Sequence, residues 1–280
     1  MATFIADAVP TKGTLSHARR AAAILPAVCL LLAALAGRAA AAAETLDHAV
    51  ERYRPAMIDD IDRALAGAQE LKARIAAGDL AGAKKAWIDA RTGWERSEVF
   101  TSGFVPDLDE AIDAWPDATT GFHGIEAKLF GASSFDVGTE VDALVLHLSE
   151  LDGKIRTMPL TPQGLLNGIA RLAYEVGDSK VDGGESRVSG TSLDDMRNNV
   201  DGIALAYRTL FAAALAGSDA KTAGQVQDEI DHLKALVSVP DLKRVNADRL
   251  RIASEALIVA LQTAGPKIGL ETPTLEETAK

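Results

Sequence analysis

Two short segments carry side chains whose types and spacing suit metal chemistry. Glu95 and Glu98 lie three residues apart, as do His123 and Glu126 within Gly121-Phe122-His123-Gly124-Ile125-Glu126. On a helix that spacing puts both members of a pair on one face. Two carboxylates beside an imidazole make a ligand set suited to iron and other hard or borderline cations. Imidazole–carboxylate pairs on bundle helices hold metal in di-iron carboxylate proteins, although there the glutamate precedes the histidine. A single H-x-x-E is weakly specific, since a hydrogen-bonded helical pair or a solvated face satisfies it equally.

The position of Glu98 adds to the signal. Leu80, Ala83, Trp87, Ala90 and Trp94 form an apolar stripe, and its next step lands on Glu98, which places a carboxylate on the core face. Burying a carboxylate pair is costly without a cation or strong donors. Arg91 can be that donor, and an internal ion pair is the plainer reading of these residues taken alone. Asp109 and Asp113 lie one turn apart, and Asp194 and Asp195 open a later helix. Acids in a first turn complement the helix dipole, and Ser192 with Asp195 has the form of a capping box, so capping explains them as well as metal binding does. Glu185 lies in a glycine-rich loop. His17, His48, His147 and His232 have no clustered acids at ligand spacing and read as structural or solvated. The sequence contains no G-x-S-x-G, H-E-x-x-H, P-loop or dinucleotide fingerprint, which leaves enzymatic activity unsupported.

The elements that position these residues read as helices throughout. Leu46, Val50, Tyr53, Met57, Ile61, Leu65, Ala68, Leu71 and Ile75 trace one face of a long helix. Pro55 is placed to bend it, and Gly78-Asp79 to stop it and cap the next, which runs to about Thr101. Asp107 is read as the cap of a short helix ended by Pro116, followed by a helical stretch from Phe122 to Phe130. Further helices are expected at 137–155, 162–176 (capped by Thr161), 193–215, 222–237 and 246–263. The polar segment from Gly177 to Thr191 is long for a connection within a bundle and is expected to join the site. The expected fold is all-α, two packed four-helix-type bundles in one continuous domain.

Residues 1–43 have the layout of a cleaved export signal: Arg19 and Arg20, an apolar run from Ala21 to Ala36 interrupted by Pro26, then small residues before Glu44. The run is too short for stable membrane insertion. Cys29, the one cysteine, follows Pro26 and Val28, which disfavours a lipid anchor. Residues 44–280 are then the mature domain, without thiolate ligands or disulfides. The leading segment carries Lys12, Arg19, Arg20 and Arg38 against Asp7, which leaves 25 basic and 39 acidic residues and a formal charge of −14. Such acidity argues against nucleic acid and anionic membranes as partners and favours cations.

Taken together, the segments resemble the imelysin-like family, which includes the EfeO and EfeM periplasmic components of bacterial iron uptake and proteins once classed as metallopeptidases. Trp94-Glu95-Arg96-Ser97-Glu98 is similar to its aromatic-E-R-x-E, Asp107-Leu108-Asp109 with Ile112-Asp113 to its D-L-D-x-x-I-D, and Gly121–Glu126 to its G-F-H-x-I-E. Residues 183–202 resemble its G-E-E-x-R-Y-S and following S-H-T-D-L motif, with Gly184, Val188, Gly190, Ser192 and Met196 departing from it. The resemblance implies a cleft between paired bundles lined by Glu95, Glu98, Asp109, Asp113, His123, Glu126 and Asp195. It also implies a short form without the cupredoxin domain of EfeO.

The implied role is binding of ferric or ferrous iron in the periplasm, with zinc, copper or calcium as other occupants. The implied partners are an inner-membrane iron permease and a periplasmic peroxidase. Two rival expectations are a metallopeptidase using His123 and Glu126, and a cation-dependent binder of acidic polysaccharide, for which Trp87, Trp94 and Trp115 are the available tryptophan platforms.

Overall fold

The computed structural model describes residues 18–114, 119–181 and 184–275, with side chains from Leu46 onward. It falls into two compact units, Met1–Ala43 and Glu44–Lys280. No strand occurs among the described residues. The helices are α1 (Ala18–Ala76), α2 (Leu80–Ser97), α3 (Thr101–Phe104), α4 (Pro106–Asp113), α5 (Gly121–Glu126), α6 (Gly138–Ile155), α7 (Pro162–Gly177), α8 (Ser192–Leu210), α9 (Ala212–Ser218), α10 (Ala220–Val237) and α11 (Ala247–Lys267).

Within the second unit, α1, α2 and α6 with the short α4 and α5 form one bundle, and α7, α8, α10 and α11 form the other. The two bundles join where α2 packs on α8. Small residues set these approaches. A Cβ at Gly93 would lie 2.3 Å from the Asp60 carbonyl on α1, and one at Gly202 would lie 2.5 Å from the Arg96 carbonyl on α2. Glycine therefore lets α8 come close enough for its side chains to reach the buried acids of α2.

Most boundaries follow the local rules. Gly78 adopts φ +71°, and the Asp79 carboxylate accepts from the Gly82 amide at 2.9 Å, so the expected stop and cap both form. Thr161 Oγ1 accepts from the Gly164 amide at 3.1 Å. The α1 helix continues through Pro55.

Other expectations are corrected by packing. The second helix ends at Ser97, short of Thr101, because the Val99 carbonyl meets α7 at Gly168, where a Cβ would lie only 1.7 Å away. Asp107 caps nothing: Pro106 occupies the first turn of α4, Val105 precedes it, and Asp107 is exposed. Residues 193–215 do not form one helix. The chain bends by 54° between α8 and α9 around the buried Phe211. The Ser192–Asp195 capping box is absent, since Ser192 Oγ accepts from the Ser186 amide and Asp195 turns inward. The last helix runs on to Lys267, with Pro266 in its final turn. Residues 1–17, which hold the start of the expected export signal, and Trp115 and Pro116 lie outside the described residues.

Candidate metal centre

Glu95 faces the join between the bundles because it follows the buried Arg91 by one turn of α2, on the inner face with Trp94. Glu98 occupies the C-cap position, where its backbone carbonyl accepts from Arg171 of α7 at 2.8 Å. The two carboxylates share a donor on α8: Asn199 Nδ2 lies 2.9 Å from Glu95 Oε2 and 2.7 Å from Glu98 Oε2. The Trp94 indole donates to Asp113 Oδ2 at 2.6 Å, which fixes the last residue of α4 over the same point. Gly121 begins α5 at φ +63° directly against the Ile112 carbonyl, and this tight approach carries His123 to Asp113.

The imidazole of His123 is 2% exposed. Its Nδ1 lies 3.3 Å from Glu126 Oε2, while Nε2 lies 3.3 Å from Asp113 Oδ1 and 4.0 Å from Glu185 Oε1. An Nδ1–H donated to Glu126 leaves Nε2 as the free lone pair, the arrangement that orients metal-binding histidines elsewhere. The other oxygen of Glu126 accepts from the Ser189 hydroxyl at 2.6 Å and amide at 2.7 Å, and from the Val188 amide at 3.1 Å. Glu126 thus ties the 184–191 loop to the histidine.

Two overlapping groups of ligand atoms result, each within 4.8 Å: Asp113, His123 and Glu185, and Glu95, Glu98, Asp113 and Glu185. A cleft of about 350 Å³ opens onto them, lined among others by Glu98, Asp109, Asp113, His123, Lys180 and Glu185. Of the expected residues, Glu95, Glu98, Asp113 and His123 therefore converge. Asp109 lines the cleft but belongs to neither group. Asp195 lies behind Arg91, 3.4 Å from its Nε, and accepts from the Ser186 hydroxyl.

Two participants stand out beyond that expectation, Glu185 and Lys180, while Arg91 takes the donor role read from the sequence. Glu185, read from sequence as a loop acid, belongs to both groups. Arg91 lies deep inside, paired with Glu95, with Asp113 at 2.7 Å and with Glu185 at 3.2 Å. Lys180 is 2% exposed and places Nζ 2.7 Å from Glu95 Oε2, 2.9 Å from Glu98 Oε2 and 3.1 Å from Glu185 Oε1. A lysine in a polar loop gives no sequence signal of burial. Only the excess of acids expected in the core pointed to a missing cation.

The charges do not cancel. Among the described residues, Glu95, Glu98, Asp113, Glu185 and Asp195 are ion-paired with Arg91 and Lys180, with His123 beside them. Burial pushes the Glu185 carboxyl up to about 8 despite Lys180, that of Asp109 to about 7 and that of Asp195 to about 6. Burial and the neighbouring Glu95 hold Glu98 well above the usual range. Glu95 goes the other way: burial opposes its ionisation, but Arg91 and Lys180 outweigh it and bring the carboxyl down to about 2. Burial lowers the His123 imidazole, yet Asp113 and Glu126 raise it by more. Acids that retain protons near neutrality mark a site short of positive charge, which suits an incoming cation.

Trp87 and Trp94 are fully buried and cannot serve as sugar platforms. Among the described residues His123 is the one histidine in either ligand group.

Comparison with known proteins agrees with this architecture. The family profile described as imelysin matches residues 49–120 and 117–265. An Efem/EfeO family lipoprotein of Staphylococcus haemolyticus is 33% identical over 204 residues, covering 69% of this chain and 70% of its own. The iron uptake system component EfeM of Pseudomonas syringae pv. syringae is 31% identical over 190 residues, 64% of this chain and 66% of its own. The fold matches a Parabacteroides distasonis crystal structure assigned as an iron-regulated protein A precursor, with a TM-score of 0.63 at 20% identity, over 81% of this chain and 95% of that one. With its profile match spanning most of the chain and its relatives above 30% identity, this chain belongs to the imelysin family and is an EfeM/EfeO-type member of it.

Proposed function

We propose that the protein is the extracytoplasmic metal-binding component of an iron-uptake system, with ferric or ferrous ion as its cargo. The observation that carries this reading is the buried His123, whose Nδ1 is engaged by Glu126 while Nε2 faces Asp113 and Glu185. In this reading His123 Nε2, Asp113 and Glu185 are the primary ligands and Glu98 lines the cleft beside them. Glu126, Glu95 and Asp195 act behind them by orienting His123 and balancing Arg91 and Lys180. One nitrogen among carboxylate oxygens suits iron better than the sulfur- or histidine-rich sets preferred by copper and zinc. The names carried by the Pseudomonas and Staphylococcus relatives support iron as the cargo and a location outside the cytoplasm, and the layout of residues 1–43 fits an export segment. An inner-membrane permease would take the ion onward, beside a periplasmic peroxidase.

The peptidase alternative draws less support, because Glu126, its candidate partner to His123, is already taken up by Ser189, Val188 and the imidazole itself. Calorimetric titration of ferric and ferrous ion against a weak competing chelator tests the reading. The wild type should bind stoichiometrically and a Glu98→Ala/His123→Ala variant should not. A wild type that binds neither ion sinks it.

A further inference from the structure

The carboxylates of the second ligand group already hold two cations that belong to the chain, Arg91 on Glu95, Asp113 and Glu185, and Lys180. Lys180 Nζ contacts Glu95, Glu98 and Glu185, three of the four acids of that group, at 2.7 to 3.1 Å, and the side chain is buried. Asn199 Nδ2 closes on the same Glu95 and Glu98 oxygens. Asp113 and Glu185 are common to both groups, so the two form one cluster, with His123 beside Asp113 and Lys180 beside Glu95 and Glu98. A bare acid cluster of this size has room for two bridged ions, as in dinuclear carboxylate centres.

We propose that Lys180 determines how many ions the cluster takes: its ammonium occupies the all-carboxylate half and confines bound metal to the His123–Asp113–Glu185 half. This rests on the metal-binding reading above. The ammonium satisfies part of the buried negative charge and touches Glu185 at 3.1 Å but neither Asp113 nor His123, where Arg91 is the chain's own cation, on Asp113 at 2.7 Å. The ammonium also leaves the histidine half as a mononuclear site from which a single ion can be handed on. Loss of the ammonium would leave Glu98 without its cationic partner and Glu95 with Arg91 alone, a situation that favours capture of a second hard cation.

The test is ferric ion loaded from citrate, followed by dialysis and elemental analysis, on the full protein and four variants, with thermal melts confirming that each is folded. Wild type should retain one ion and His123→Ala none. Lys180→Met should retain two, and Lys180→Met/His123→Ala should keep one, held by the carboxylate half. Lys180→Gln, which retains a hydrogen-bond donor, stands in if the methionine variant does not fold and should likewise take two. One ion in the Lys180 variants, lost whenever His123 is removed, overturns this proposal while leaving the metal-binding reading intact. No ion in any protein overturns both.

Discussion

The Trp94 indole N–H donates to Asp113 Oδ2 at 2.6 Å, so one residue both anchors α2 in the core and fixes a carboxylate of the cleft. Arg91 holds the other oxygen of Asp113 at 2.7 Å, and His123 Nε2 lies 3.3 Å from that same oxygen. Asp113 is thereby held in place from two sides.

Trp94→Phe keeps most of the ring and removes the donor. Metal affinity should fall by roughly 10- to 100-fold, the usual effect of losing an outer hydrogen bond to a ligand. Stability should fall by about 1 to 3 kcal/mol, because a buried carboxylate loses a partner. Calorimetry and a chemical melt separate the two, and unchanged affinity would place Asp113 outside the ligand set.

Glu126→Gln replaces the acceptor that fixes the His123 tautomer and removes its charge. The 184–191 loop should loosen, seen as faster amide exchange at Val188 and Ser189, and metal binding should weaken by about 10-fold or more. Slow exchange retained at both amides would show that the carboxylate is not what secures the loop.

Gly121→Ala should destabilise the protein by more than about 1 to 2 kcal/mol, since alanine is strained at the positive φ and its Cβ would lie 2.4 Å from the Ile112 carbonyl. Because α5 carries His123, metal binding should suffer with it. Gly103→Ala, where a Cβ meets nothing, is the control.

The metal-free protein should lose stability as pH rises from about 4 to about 8. In that window Asp195, Asp109 and Glu185, with carboxyls at about 6, 7 and 8, hold protons that the unfolded chain has released. His123, raised in the fold, contributes in the same direction as pH climbs through its folded-state value. Glu95 is opposite in sign: its contribution is complete above the ordinary glutamate range and is lost as pH falls towards about 2. Iron binding releases those retained protons, so affinity should rise across the window in which apo stability falls. Melts and titrations at five pH values would check both slopes, and parallel slopes would contradict the assignment.

Much of the fold was legible because helix periodicity and caps are local. The stripe from Leu46 to Ile75, the Gly78–Asp79 stop and the Thr161 cap form as read. The breaks at Ser97 and Phe211 were not legible, since each results from contact with a helix distant in sequence or from burial in the shared core. The convergence of Glu95, Glu98, Asp113 and His123 was anticipated by motif and stripe, but their division of labour was not. Asp109 and Asp195 carry the same chemical group as Asp113, and only the approach of α4, α5 and α8 decides which of them joins the cluster with His123 and Glu185.

The sequence by itself determined the helices, the inward turn of Glu98 and the excess of acid over base in the core, because each is encoded within a few residues or in composition. Arg91, one turn before Glu95 on α2, was legible as its partner, but the tertiary structure alone decided the second cation. Lys180, in the loop after α7, is 85 positions from Glu95, and it reaches Glu95, Glu98 and Glu185 only where the two bundles meet. A Coulomb interaction depends on distance in space, which spacing along the chain does not specify.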